Sequence, residues 1–130
     1  MSFRGVRDAV VTELEKSLPG SVFTSYSAPA GMNKYAVVFT ALTGKPRTRF
    51  TGGQWRDVFT VTVHSVGVTE EHSLWVAERV NALTDKRLTV TGRSLFPVEY
   101  VTGRPPTLDD DGPAPLWFTV TQFDIVSDPV

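Results

Sequence analysis

The chain has 130 residues, a formal net charge of −1, 41% hydrophobic and 21% charged residues, and no cysteine. That length suits one domain over residues 1–130 with its own core, the apolar content argues against wholesale disorder, and the missing thiols exclude disulfides, thiolate metal sites and cysteine nucleophiles. No apolar run approaches the ~18–20 residues of a bilayer-spanning helix, and the charged opening MSFRGVRDAVVTELEKSL lacks the apolar stretch of a secretory signal, so the expected place of synthesis is a cytoplasm.

Phe3, Val6, Val10, Leu14 and Leu18 recur at three- and four-residue steps, which predicts an amphipathic helix over residues 3–18. Ser2 is its candidate N-cap and Pro19-Gly20 its stop. Residues 22–26 alternate as a short strand. Residues 35–42 (YAVVFTAL) are apolar on both parities, which fits a strand covered by a helix on one face and by something else on the other. Residues 43–54 (TGKPRTRFTGGQ) are rich in breakers and predict a connection.

The clearest strand is residues 55–66, with Phe59, Val61 and Val63 on one parity and Thr60, Thr62 and His64 on the other. Twelve extended residues would span about 40 Å, well beyond the usual ~5–6 residues. The first part is therefore expected to leave the body as one arm of a long β-hairpin with the basic loop at its tip. A second helix is expected over residues 70–84, capped by Thr69 and favoured by Glu70 and Glu71 at the positive end of its dipole. Its apolar side holds Val76, Ala77, Val80 and Leu83. Trp75 lies off that side, beside Arg79, so either a loop of the same chain or a neighbouring subunit must cover the indole.

Further strands are expected at residues 87–90 and 98–101, with a turn or bulge at Gly92. Residues 102–115 (TGRPPTLDDDGPAP) read as a loop. Residues 116–126 close the chain as a long strand whose apolar parity slips near Gln122, for which a β-bulge there is the expected cause. The sum is an α+β fold: a mainly antiparallel β-sheet with two α-helices packed on one face and a protruding hairpin.

Chemistry is scarce. His64 and His72 are the two imidazoles, His64 on the threonine parity of a strand and His72 in a first helical turn, where solvent exposure is the expectation. No nucleophile elbow, zinc spacing or phosphate-binding glycine motif occurs. Asp109-Asp110-Asp111-Gly112 lacks the spacing and closing glutamate of a calcium loop. Catalysis is therefore not expected, nor is a cofactor or a metal.

The charge distribution is more informative than its sum. Between Lys16 and Arg56 there are six cations and no acid, and after Arg104 five acids and no base. The basic segment holding Lys45, Arg47, Arg49, Phe50 and Arg56 suits a solvated loop, a nucleic-acid backbone or an acidic protein surface.

Several segments taken together resemble a known family: the leading helix from residue 3, the strand FTVTVHSVG at 59–67, the helix EEHSLWVAERVNAL at 70–83, Leu88-Thr89-Val90, and the closing Trp117-Phe118-Thr119-Val120. This order is similar to that of the tail terminator (tail completion) proteins of long-tailed bacteriophages, particularly those of actinobacteria. The resemblance implies an α/β protein of the virion that assembles as a hexameric ring. Such a ring caps the tail tube, stops its polymerisation and joins it to the neck or head-completion protein, with DNA at most passing through. No active-site residues come with it, and the Pro-Asp loop at 105–115 departs from its pattern. A ring of identical copies needs two different patches per copy. Lys45, Arg47, Arg49, Phe50 and Arg56 are candidates for one and Asp109, Asp110 and Asp111 for the other, with Trp75 and Arg79 as further contact residues. Another head–tail connector, a tail-tube subunit or a small cytoplasmic binding module are the alternative readings.

Overall fold

The apolar stripe of the first segment folds as α1 (Phe3–Glu15), with Val6, Val10 and Leu14 fully buried. The helix stops three residues before the expected end. Leu18 still donates its N–H to the Leu14 carbonyl at 2.9 Å and is itself buried, so the stripe continues through a turn. Gly20, at φ +69°, then makes the left-handed exit that a side chain would resist. The structure, a computed structural model, describes residues 3–24, 31–42, 47–48, 55–109 and 115–129.

The other elements are β1 (Val22–Thr24), β2 (Lys34–Leu42), β3 (Arg47–Thr48), β4 (Trp55–Gly67), α2 (Glu70–Asn81), β5 (Arg93–Leu95), β6 (Glu99–Gly103), β7 (Thr107–Asp109) and β8 (Leu116–Pro129). They form one sheet in the order β1-β2-β4-β8, and β5, β6 and β7 follow one another along the far edge of β8. All pairs are antiparallel except β1 with β2. The fold is α+β, as the element order predicts.

Registers define two faces. Ala36, Val38, Phe59, Val61, Val63, Phe123 and Ile125 lie toward the helices and join Val6, Val10, Leu14, Val76 and Val80 in one core. Both helices therefore pack on the same face. α2 begins at Thr69, whose hydroxyl accepts the His72 N–H at 3.1 Å. It is tied to β4 by Ser73, whose Oγ donates to the Ser65 carbonyl at 2.8 Å inside the core. Gly67 makes this junction possible, because a Cβ there would sit 2.5 Å from both the His72 Cβ and the Ser73 nitrogen. Gly67→Ala is expected to lower stability by about 1–3 kcal/mol, the scale of an overpacked core; thermal unfolding measures it.

The hairpin is present. β2 and β4 pair from Lys34↔Gly67 to Leu42↔Phe59, and β3 continues opposite Arg56 and Trp55. The β4–β8 ladder ends at Asp57↔Ser127, so the Arg47↔Arg56 rung extends past it.

Four expectations change. The β4–β8 register runs unbroken from Asp57↔Ser127 to Gly67↔Trp117, so β8 has no bulge against β4. The slip in its apolar pattern is a change of face: Phe123 and Ile125 point to the helices, Phe118 and Val120 away. The irregularity belongs to β6, where Tyr100 and Thr102 face Phe123 and Gln122 and Val101 is the extra residue. Residues 87–90 form no strand. Leu88 is buried and Val90 makes a single bridge, while the strand at this point of the chain is β5. The expected loop 102–115 contains the end of β6 and all of β7. Finally, α2 ends at Asn81, before Thr84. Residues 25 and 26 of the expected first strand lie outside the described residues.

Candidate interaction surfaces

The face of the sheet turned away from the helices is apolar and aromatic. Tyr35, Val37 and Phe39 of β2 alternate outward there, beside His64 and Val66 of β4 and Phe118 and Val120 of β8. Phe23 meets Tyr35 edge to face, with ring centroids 6.0 Å apart. His64 lies between Phe39 and Phe118, at 5.1 and 5.9 Å. Val37 is only 1% exposed, although no helix among the described residues covers this face. Residues 35–42 are thus covered by helices on one side and carry this aromatic layer on the other. A cavity of about 180 Å³ opens within it, lined by Tyr35, His64, Asp109, Leu116 and Phe118 among others.

This environment removes water from two titratable groups. Burial raises the Tyr35 phenol above its ordinary value and lowers the His64 imidazole below the usual 6.5. His64, on the threonine parity where a surface or half-buried strand residue is expected, is half-buried, and its neighbours are rings. Its sign is fixed: above pH 6.5 the imidazole is neutral folded or unfolded, while below it the unfolded chain takes up the proton more readily, so stability falls as pH drops toward and past the folded value. The melting temperature is expected to fall between pH 7.5 and 5.5, and His64→Gln to flatten that fall. An equal fall in both proteins would count against the assignment.

The second surface is at the β2 flank. Lys34 Nζ lies 3.8 Å from the centroid of the Trp75 ring and the Arg79 guanidinium carbon 3.6 Å from it. Two cations so close to one centroid cannot share a ring face, so they hold opposite faces. The indole that the helical wheel leaves off the apolar side is therefore covered on both faces by side chains of its own chain, while it also packs against the core. Lys34 lies 41 positions from Trp75 in the sequence, and only the β2–β4–α2 arrangement joins them.

The third is the far edge of the sheet. All residues of β6 and β7 are exposed, with Tyr100 at 50%, Val101 at 48% and Leu108 at 44%. Asp109 is exposed at the end of β7. Pro97, Pro105 and Pro106, which offer no N–H to a neighbour, interrupt this edge.

Of the other residues singled out from the sequence, Lys45, Arg49, Phe50, Asp110 and Asp111 lie outside the described residues, and Arg47 and Arg56 are placed through their backbones as a cross-strand pair. A groove of about 870 Å³ between α1 and residues 87–92 is lined by Asp8, Glu13, Lys16 and Arg87 among others; Asp8 pairs with Arg7 at 3.1 Å and Glu13 with Lys16 at 2.9 Å. Among the described residues no three His, Asp or Glu side chains gather as a metal site, and no helix is long and apolar enough to cross a membrane. His72, expected in solvent, is half-buried beneath the Gly67 junction.

No protein-family model and no curated sequence matches the chain. Solved structures do. A chain in the virion of a native gene transfer agent particle superposes with a TM-score of 0.72 at 11% identity, covering 95% of this chain and 94% of that one. A second solved chain superposes with a TM-score of 0.62 at 19% identity, covering 100% and 98%. At these identities the likeness is one of fold.

Proposed function

We propose that this protein is a structural component of a phage-like virion, a tail terminator that forms a ring on the end of the tail tube. The observation that carries the reading is the end-to-end fold likeness to a chain of the gene transfer agent virion, which leaves almost no residue of either chain unmatched. The resemblance read from the sequence points to the same kind of particle independently of that likeness. The surfaces are consistent with docking: an aromatic sheet face, an indole held between two cations, and an exposed apolar edge are features of a protein that works by contact.

In this role each copy contacts two like it, the tail tube protein on one side and the neck or head-completion protein on the other. Its place is the head–tail junction. Its chemistry is confined to burial and charge matching, with no cofactor, and DNA meets it only in passage through the ring. Deleting the gene from the genome that encodes the particle tests this. The expected outcome is filled heads without tails and free tails of uncontrolled length. Particles with joined tails of normal length would overturn the reading.

A further inference from the structure

Rings and a carboxylate meet on the face of the sheet turned away from the helices. The register sets Tyr35 of β2, Val66 of β4 and Phe118 of β8 side by side there, with His64 two residues along β4 and Asp109 of β7 opposite Leu116. With Val37 these residues line the cavity of about 180 Å³. That is room for one planar group, since a cavity of roughly 150 Å³ takes up benzene. Its rings are Tyr35, His64 and Phe118, and among the described lining residues Asp109 is the one carboxylate, with no lysine or arginine beside it. Burial holds His64 below its usual 6.5, so at neutral pH its ring brings no charge to oppose a cation. Rings grouped with a carboxylate are the chemistry that captures an organic cation: the ring faces attract it and the acid supplies net charge. His64 and Asp109 are each also engaged within the chain. A carboxylate offers roughly four acceptor positions, so one such engagement does not exhaust it.

The chain carries cations at the other end of the same strands. Arg47 faces Arg56 on a rung beyond the end of the β4–β8 ladder, in a stretch with six cations and no acid from Lys16 to Arg56. Like charges directly opposite one another on neighbouring strands are unfavourable, and an acidic partner relieves that cost. Arg56 and Val66 are ten positions apart on β4, about 33 Å at ~3.3 Å per residue. The rung therefore cannot serve the cavity of its own chain.

We infer that the aromatic cavity of one copy takes up a guanidinium group from the Arg47–Arg56 rung of the next. Charge complementarity and ring chemistry select this occupant, because a guanidinium is planar, stacks on aromatic faces and pairs with a carboxylate. Donor and acceptor lie at opposite ends of one strand and are different patches. Their contact is head-to-tail, the kind that closes into a ring when each step adds a fixed rotation. In this contact the basic segment meets Asp109 and the rings around it, rather than the aspartate run as a whole. The inference rests on the ring reading, whose failure is separately visible in the test.

The chain has no cysteine, so an introduced pair reports contact without background. Thr48→Cys lies next to Arg47 on the arm, and Pro115→Cys, at an exposed position, lies next to Leu116 of the cavity. Within one chain these positions are at opposite ends of the sheet, too far apart to bridge. Oxidation of the double variant is expected to give a ladder of covalent oligomers ending at the ring size, while either single variant stops at dimers. Arg47→Glu with Arg56→Glu is expected to raise the concentration for half-assembly at least about tenfold, and adding Asp109→Lys to recover most of it. Tyr35→Leu with Phe118→Leu keeps the cavity apolar, removes two ring faces, and is expected to raise that concentration at least about threefold. Circular dichroism establishes that each variant is folded. Rings that form without a ladder and ignore both sets of substitutions would overturn the cavity contact and leave the ring reading standing. A wild-type chain that stays monomeric at every concentration would overturn both.

Discussion

Alanine in place of Phe123 is expected to cost about 3–5 kcal/mol of folding free energy, the range for emptying a buried aromatic site. Phe123 is fully buried on the helix face of β8, in register with Val61 of β4, and its ring meets Tyr100 edge to face at 6.2 Å. That contact joins the buried ring to Tyr100 of β6, which is itself 50% exposed. Small domains hold about 5–15 kcal/mol in all, so this variant is expected to be marginal at 37 °C. Phe118→Ala, on the other face of the same strand and half-exposed, is expected to lose clearly less. Denaturant unfolding of both variants decides it; equal losses would mean that the two faces of β8 are wrongly assigned.

The second large effect is expected at Trp75. Trp75→Ala removes an indole packed against the core and leaves Lys34 and Arg79 with nothing between them. The packing loss alone is of order 3 kcal/mol for a large aromatic side chain. The two cations then repel one another through water, so the variant's melting temperature is expected to rise with added salt more steeply than that of the wild type. Trp75→Phe keeps a ring between the cations and is expected to restore most of the stability and the ordinary salt response. Indifference to salt in Trp75→Ala would show that the two cations are not held against one another by the indole.

Much of this architecture is legible in the residues. Val6, Val10, Leu14 and Leu18 form an apolar stripe whose burial follows from helical spacing, and Thr69 with Glu70 and Glu71 marks a helix start that the structure keeps. The alternation of Phe59, Val61 and Val63 identifies the core face of the central strand. What stays hidden has common physical causes. β8 puts apolar residues on its two faces in turn, because its far half packs under helices and its near half joins the aromatic layer; a linear pattern cannot tell a change of face from a bulge. β7 is three residues between prolines and aspartates and pairs only because β8 is already in place beside it. Leu88 carries strand-like neighbours but fills the core from irregular backbone. Trp75 draws attention as an indole off its helix face, yet Lys34, which covers it, comes from a strand far away in the chain and becomes its neighbour only through the β2–β4 register.

The measurement closest to the central claim is the mass of the purified protein in solution, followed over a wide concentration range by light scattering and native mass spectrometry. The account predicts one closed species of fixed size, a small multiple of the 14.3 kDa chain with six copies expected, seen as single rings in negative stain. A 14.3 kDa particle at every concentration would contradict it, as would stacks that lengthen without limit.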